Sequence, residues 1–329
     1  MDISIGSKTD VGCVREANED SFYSELPSEG GTSPDHYALL LVADGMGGQV
    51  AGKEASETAV DVVKARFADT SKAELSIEAI KEFILTSFHE ANRAVFEQGK
   101  AKAVEMGTTL TAVFINEDKA YIGHVGDSRA YHLRGREIKQ VTEDHTLAED
   151  MVRQSKATRE EVSTSPMRSM LTRSIGTKDE VAIDPPVGIE LEEGDVLLLC
   201  TDGLTNLVGE REILSTVHNT PHVRKACAKL VDMARTRGGH DNITVVAAEF
   251  GALQRIKGLG VKAKTVSVHS AQSAKEKRRR GLLFAAIGIL VAVFIFLAYL
   301  FVSYYREHKR FYKRPATGEM TEVEGSSSE

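Results

Sequence analysis

The sequence predicts an α+β sandwich for residues 1–250, on the basis of two patterns. Apolar stretches separated by turn residues recur in this region, as in INEDKAYI and HLRGREI, and are typical of antiparallel hairpins. Two amphipathic helices lie among them, one at 51–67 and one where apolar residues recur from Ile77 to Val95. A helical pair embedded among hairpins favours antiparallel sheets over a doubly wound parallel sheet.

The remaining elements of this region follow from the same patterns. Strands are predicted at 37–43, 109–116, 119–126, 128–134, 137–142, 196–201 and 243–249. Residues 144–175 are polar and lack strand alternation, so we expect a flap that caps or flanks a site.

Charge and cysteine content exclude several classes of protein. The chain has 329 residues and a net charge of −7, and residues 1–250 hold 27 basic and 42 acidic side chains. Such an acidic globule is a poor nucleic-acid binder, because that affinity depends on Lys and Arg at the phosphates. The widely spaced Cys13, Cys200 and Cys227 argue against a disulfide framework and for a reducing compartment. None has an arginine six positions later, so the Cys-x5-Arg loop of thiol phosphatases is absent.

The C-terminal region predicts a membrane anchor. Residues 281–305 carry no charged side chain and are long enough to cross a bilayer as one transmembrane helix. A basic flexible linker at 251–280 precedes this segment, and a short tail at 306–329, basic and then polar, follows it. The N-terminus lacks the apolar core of a signal peptide. We therefore expect a single-pass membrane protein whose N-terminal domain is cytoplasmic and monomeric.

Two similar stretches each deliver an aspartate at the end of a buried strand. LLLVADG (39–45) ends in Asp44-Gly45, and LLLCTDG (197–203) ends in Asp202-Gly203. Asp127, in IGHVGDSR, also follows a predicted strand. One Asp-Gly pair is typical of a simple turn, but the repetition predicts a site at which strand ends converge.

Further acidic residues occur at comparable places, and together they predict a metal site. Asp241 precedes the last predicted strand, and REANEDSF contributes Glu19 and Asp20. Converging carboxylates repel one another unless cations compensate, and oxygen ligands without a matched His or Cys set favour Mg²⁺ or Mn²⁺. Two such ions with a bridging water would hydrolyse a phosphate ester by in-line attack. Arg15 would grip the phosphate with its guanidinium fork.

A nucleotide-binding loop is the alternative interpretation of residues 39–55, LLLVADGMGGQVAGKEA. From Gly47 this stretch contains G-x-x-x-x-G-K. A P-loop needs Ser or Thr after the lysine to bind Mg²⁺, whereas Glu54 follows Lys53 here. We therefore predict a strand, a turn and a helix in which Lys53 and Glu54 are ordinary surface residues.

Seven motifs in order resemble those of the metal-dependent protein serine/threonine phosphatases of type 2C. They are REANED (15–20), ADGMGG (43–48), GTTL (107–110), GDSRAY (126–131), LTRSIG (171–176), TDGL (201–204) and DNIT (241–244). The match spans about residues 5–250, and the Met after Asp-Gly together with a short flap is similar to bacterial members. The resemblance implies a four-layer α/β/β/α sandwich, with two antiparallel sheets flanked by helix pairs.

The resemblance also implies a binuclear centre of Mn²⁺ or Mg²⁺. Asp44 would bridge the two ions, and the Gly45 carbonyl and Glu19 would serve one of them. Asp202 and Asp241 would hold the other ion.

Further residues receive roles from the same resemblance. Asp127 matches the position associated with a third, weaker ion in bacterial members, and Arg15 would bind the substrate phosphate. Asp20 and Asn242 would orient the ligands. Arg173 would either approach the substrate or stabilise the flap.

The sequence departs from the family pattern at two places. Many eukaryotic members carry a histidine, proposed as the general acid, where this chain has Met46, which has no proton to donate. Gly176-Thr177 stands where the family usually has Gly-Asp, although no presumed metal ligand is lost.

The predicted function is that of a membrane-tethered phosphatase. It would hydrolyse phosphoserine and phosphothreonine in proteins, opposing membrane Ser/Thr kinases and acting on those kinases or their substrates. The alternative is a membrane scaffold that binds phosphoproteins without hydrolysing them. Such a scaffold would be expected to lack an acidic ligand, and this chain retains the full set.

Overall fold

The computed structural model describes residues 2–25, 37–70, 75–162 and 165–251. The strands in these ranges are β1 Ile3–Asp10, β2 Ser21–Glu25, β3 Tyr37–Ala43, β4 Gly45–Met46, β5 Gly107–Thr108, β6 Leu110–Asn116, β7 Lys119–Val125, β8 Arg129–Arg134, β9 Glu137–Gln140, β10 Val187–Glu190, β11 Val196–Cys200 and β12 Ile243–Phe250. The helices are α1 Gln49–Asp69, α2 Ile77–Lys102, α3 Leu147–Arg153, α4 Arg159–Val162, α5 Asp202–Thr205, α6 Glu210–His218 and α7 Val223–Thr236, with a 3-10 turn at Pro166–Ser169.

The strands form two five-stranded sheets and a short ribbon. The first sheet has the order β1-β12-β11-β8-β9, and the second has the order β10-β7-β6-β3-β2. All strand pairs in both sheets are antiparallel, and β4 pairs with β5 separately. The prediction of antiparallel sheets is confirmed.

Strand β3 is apolar throughout because it is buried on both of its faces. Leu39 and Leu41 point to one face of the second sheet and pack with buried residues of α1 and α2. Leu40 and Val42 point to the other face and pack against residues of the first sheet, such as Leu199 of β11. Because both faces of the strand are covered, alternation of polar and apolar residues is lost.

Helices cover the outer face of each sheet and complete four layers. Helices α1 and α2 pack on the second sheet, where Phe67, Phe83 and Phe114 meet with ring centroids 5.5–6.4 Å apart. Helices α6 and α7 pack on the first sheet through buried apolar residues that include Leu214 and Leu230. The structure thus confirms the α/β/β/α arrangement that the resemblance implies.

The expected linker, transmembrane segment and tail, at 252–329, lie outside the described residues. Among the helices that the structure describes, each is too short or too polar to cross a bilayer.

Candidate active site

Acidic residues from both sheets line one cavity of about 290 Å³. Asp44 directly follows β3, and Asp127 lies just after β7, in the second sheet. Asp202 lies just after β11, and Asp241 just before β12, in the first sheet. The predicted site residues that line this cavity are Arg15, Glu19, Asp44, Gly45, Asp127, Asp202, Asp241 and Asn242.

Two threonines of the GTTL motif fix the main chain of Asp44. Its N–H donates to the Thr109 hydroxyl at 2.8 Å, and its carbonyl accepts from the Thr108 hydroxyl and the Thr109 N–H, both at 2.9 Å. The Thr109 hydroxyl also lies 2.7 Å from the Ser128 hydroxyl, which ties the chain beside Asp127 to the same residue. The sequence showed this motif without giving its threonines a role, because these contacts exist only once β6 is paired with β3 on one side and β7 on the other.

Gly45 sits where no larger residue fits. A Cβ atom at this position would lie 2.1 Å from the Gly52 carbonyl oxygen and 2.7 Å from the Glu19 carbonyl oxygen. Met46, the next residue, also lines the cavity, and its thioether offers no proton.

Asn242 connects Glu19 to Asp241. The side-chain oxygen of Asn242 accepts from the Glu19 N–H at 2.8 Å, and the main-chain N–H of Asn242 donates to Asp241 Oδ1 at 2.9 Å. Asp20 lies behind the cavity, where Oδ2 accepts from the hydroxyls of Thr201 at 2.9 Å and Thr244 at 2.7 Å. These contacts agree with the orienting roles implied for Asn242 and Asp20.

Burial and mutual repulsion make these carboxylates hard to ionise. Burial raises the pKa of Asp44 well above its usual range, and the charges of Asp20 and Asp202 raise it further. Burial and the neighbouring Asp202 raise the pKa of Asp127 to about 8. Burial raises the pKa of Asp202 itself, and Asp241 adds to the effect. The cavity therefore favours a positive charge among its carboxylates.

The donor set fits divalent cations that prefer oxygen. Within the described ranges, Asp20 Oδ1 and Asp202 Oδ1 are buried and have no hydrogen-bond partner. No three Asp, Glu, His or Cys side chains of the described residues are arranged to hold one ion by themselves. Mg²⁺ and similar ions commonly bind through one or two carboxylates and keep several waters, so a closed cage of side chains is not required. The Gly45 carbonyl supplies a further oxygen at the cavity wall.

The two arginines predicted to contact substrate lie in different places. Arg15 lines the acidic cavity and is half-exposed, and it donates to Asp241 Oδ2 at 2.9 Å. Arg173 does not line this cavity. It lies within the segment predicted as a flap, where it pairs with Asp184 at 2.7 Å and lies 3.4 Å from His145 Nε2.

A second cavity, of about 560 Å³, adjoins the first because Asp127, Ser169 and Asp202 line both. Residues of the predicted flap, among them Thr146, Glu149 and Pro166, form part of its wall. Asn206 lies on the same wall and donates to Asp202 Oδ2 at 2.9 Å. Sequence reasoning missed Asn206, although its position four residues after Asp202, in and just beyond a short helix, was an available signal.

The prediction that Lys53 is an ordinary surface residue is wrong. Its ammonium donates to the Asp20 carbonyl at 2.8 Å and to the Ser21 hydroxyl at 3.2 Å. Glu54 has a surface role, since it pairs with Lys102 at 2.5 Å.

Comparison with known proteins places this geometry in a family. Residues 7–243 match the family model described as protein phosphatase 2C. A serine/threonine phosphatase of Listeria welshimeri is 33% identical over 252 residues, covering 75% of this chain and 96% of the relative. The structure of the S. agalactiae serine/threonine phosphatase is 33% identical, with a TM-score of 0.69, and covers 75% of this chain and 99% of that one.

A further similar structure carries metal. The catalytic domain of the serine/threonine phosphatase PstP, in complex with two manganese ions, is 31% identical with a TM-score of 0.63. That comparison covers 75% of this chain and 97% of the PstP domain. The extent of the family match, together with the acidic cavity that joins the two sheets, shows that this chain belongs to the protein phosphatase 2C family.

Proposed function

We propose that this protein is a metal-dependent protein serine/threonine phosphatase. The observation that carries the proposal is the single cavity in which carboxylates from both sheets meet the guanidinium of Arg15. Family membership and the similar bacterial phosphatases support the same function. The manganese ions of the PstP domain support a binuclear Mn²⁺ or Mg²⁺ centre here.

The cavity residues divide into two ligand sets and a substrate contact. Asp44 would serve both ions, and the Gly45 carbonyl and Glu19 would hold one of them; all three groups line the cavity. Asp202 and Asp241, from the other sheet, are assigned to the second ion. When bound, Mn²⁺ or Mg²⁺ acidifies water for attack on phosphorus and offsets charge on the phosphoryl oxygens.

The remaining assignments concern a third ion and the phosphate. Asp127 would hold a third, weaker ion, because it lines both cavities together with Asp202. Arg15 would hold two phosphate oxygens with its planar fork. Met46 cannot protonate the leaving alkoxide, so that proton comes from another group.

Hydrolysis of a phosphothreonine peptide in the presence and absence of Mn²⁺ tests the function. We expect phosphate release that depends on metal and that Asp44→Ala reduces to background, because nucleophile activation and charge stabilisation are lost together. A wild-type protein that binds Mn²⁺ and peptide but releases no more phosphate than Asp44→Ala would be a binding scaffold, and the proposal would be wrong.

We further propose that residues 281–305 anchor the phosphatase in a membrane with its catalytic domain in the cytoplasm. The absence of charge over this apolar segment supports the anchor, and the basic residues of 255–280 support the orientation. A flexible linker of about 30 residues would let the domain range roughly 30 Å from the bilayer. Membrane-bound Ser/Thr kinases and their nearby targets are therefore the expected substrates.

Truncation after Gly251 tests the anchor. The full chain should sediment with membranes, and the truncated chain should remain in the supernatant while it keeps its activity on a peptide. The phosphorylation of membrane proteins should rise in cells that hold only the truncated form. Identical fractionation of the two forms would refute the anchor, and identical phosphoproteomes would refute its role in substrate choice.

A further inference from the structure

We infer that the first two turns of α1 form a positioning element for Glu19, built from Gly52, Lys53 and Ser56. The inference rests on the proposed function, because it concerns the ion assigned to Glu19 and Gly45. Through this element, residues outside the ligand set would determine how tightly one of the two ions binds.

Gly52 lies directly against the Glu19 carboxylate. A Cβ atom at position 52 would lie 1.9 Å from Glu19 Oε2 and 3.0 Å from the Gly45 carbonyl carbon. From the other side, a Cβ at Gly45 would lie 2.1 Å from the Gly52 carbonyl oxygen. The helix backbone, the Gly45 turn and Glu19 therefore meet at a point that has no room for any side chain between them.

Ser56 and Lys53 hold the main-chain carbonyls of two successive residues, Glu19 and Asp20. The buried Ser56 hydroxyl donates to the Glu19 carbonyl at 2.5 Å, and the Lys53 ammonium donates to the Asp20 carbonyl at 2.8 Å. Ser21 completes the contact, with its hydroxyl 2.9 Å from that of Ser56 and 3.2 Å from the ammonium. The segment that carries Glu19 is thus bonded to α1 at successive residues.

This arrangement gives the G-x-x-x-x-G-K stretch a function other than phosphate binding. Gly52 allows the helix to approach Glu19, and Lys53 binds backbone carbonyls rather than phosphate. The main chain of Glu19 is held on its other side as well, because its N–H donates to Asn242 Oδ1 at 2.8 Å, while Gly52 leaves its carboxylate little room. A ligand fixed in this way binds metal without first losing conformational freedom, and removing such support commonly reduces metal affinity roughly 10–100-fold.

Binding of Mn²⁺ to the purified full chain, measured by calorimetry and by the Mn²⁺ electron paramagnetic resonance signal, tests the inference. Wild type should bind two ions tightly. In Gly52→Ala one of the two should weaken by roughly 10–100-fold while the other is retained. Lys53→Met, which adds no atom at the crowded point, should weaken the same ion by about tenfold. Gly188→Ala is the matched control, because its Cβ would meet only the Tyr121 ring at 3.5 Å.

A double-mutant cycle separates positioning from general damage to the fold. If Gly52 acts through Glu19, then Gly52→Ala should have no further effect on Mn²⁺ binding in a Glu19→Ala background. An equal effect in both backgrounds, or two tight ions in both Gly52→Ala and Lys53→Met, would overturn the inference. Wild type that binds two ions but hydrolyses no phosphopeptide would refute the proposed function alone, and wild type that binds no ion would refute both.

Discussion

Raising the pH above neutral should destabilise this protein when metal is withheld. The carboxyls of Asp20 and Asp127 have pKa values raised to about 7 and about 8, because both groups are buried among other acids. A raised carboxyl pKa means that the native state holds protons that the unfolded chain has already released. Stability therefore falls as the pH rises through the interval between the unfolded and the folded pKa.

The size of the loss follows from these two values. Both carboxyls are already ionised in the unfolded chain at pH 6.5. Raising the pH to 8.5 therefore favours the unfolded state by about 2.7 kcal/mol for each carboxyl that would stay protonated in the native state. The native carboxyls also ionise over this pH range, which offsets part of that free energy. The offset is about 2 kcal/mol for the group with a pKa of about 7 and about 1 kcal/mol for the group with a pKa of about 8. These two groups together account for a loss of about 3 kcal/mol, or roughly 10 °C in Tm for a domain of this size, and the raised pKa of Asp44 adds to the loss in the same direction.

Urea unfolding in EDTA at the two pH values measures this loss, and parallel samples with saturating Mn²⁺ provide the comparison. Metal should abolish or reverse the pH dependence, because the ions compensate the same charges. Asp127→Asn should reduce the loss in EDTA by about 2 kcal/mol, since it removes the group with the later titration. A metal-free protein that is equally stable at both pH values, or more stable at pH 8.5, would refute the electrostatic account of the cavity.

Three further predictions follow from individual contacts. Arg15→Lys keeps the charge but loses the fork, so kcat/KM for a phosphopeptide should fall roughly 10–100-fold at saturating Mn²⁺; unaltered kinetics would contradict the substrate role. Phe114→Ala should lower the free energy of unfolding by about 3–5 kcal/mol in urea, because this fully buried ring of β6 packs against Phe67 of α1 and Phe83 of α2. Burial lowers the pKa of His124 to about 4, so neutral His124 must gain a proton on unfolding in acid. Between pH 6.5 and pH 4.5 the free energy of unfolding should fall by about 2 kcal/mol less in His124→Gln than in wild type, as urea unfolding would show. An equal fall in both proteins would contradict the lowered pKa of His124.

Most of the sandwich could be predicted because its central strands carry a strong local signal. Strand β3 was predicted with the bounds that the structure shows, Tyr37–Ala43, since its apolar run ends abruptly at Asp44-Gly45. Strand β1, with the sequence ISIGSKTD, was missed because it is largely polar and gains its structure by pairing with β12 along its whole length. Helix α7 was missed although Val223, Cys227, Leu230 and Ala234 show helical spacing.

The acidic residues of the site could be predicted from the local sequence, but the residues that hold them in place could not. Strand ends and glycine turns are visible in a sequence, so the positions of Asp44 and Asp202 were accessible. The contacts of Thr109, Asn206 and Lys53 depend on which elements become neighbours, and each of these residue types is also common in roles without a site. Lys53 illustrates this difference. Its sequence position on α1 is compatible with a surface role, and its contact with the Asp20 carbonyl depends on how the helix packs in the folded protein.

The position of the cavity makes the fold and the charge cluster depend on each other. Asp44 extends from the second sheet and Asp202 from the first, and the core between these sheets includes Leu40 and Leu199. The packing that brings the sheets together therefore also removes water from the aspartates at the ends of their strands. This loss of hydration disfavours the ionised carboxylates and raises the pKa values of Asp44 and Asp202. A cation between the strand ends would offset the cost in the folded state only, because the unfolded chain does not bring these carboxylates together. We accordingly expect the ions that activate water to be the same ions that stabilise the sandwich, so that ligand substitutions which abolish catalysis should also abolish stabilisation by Mn²⁺.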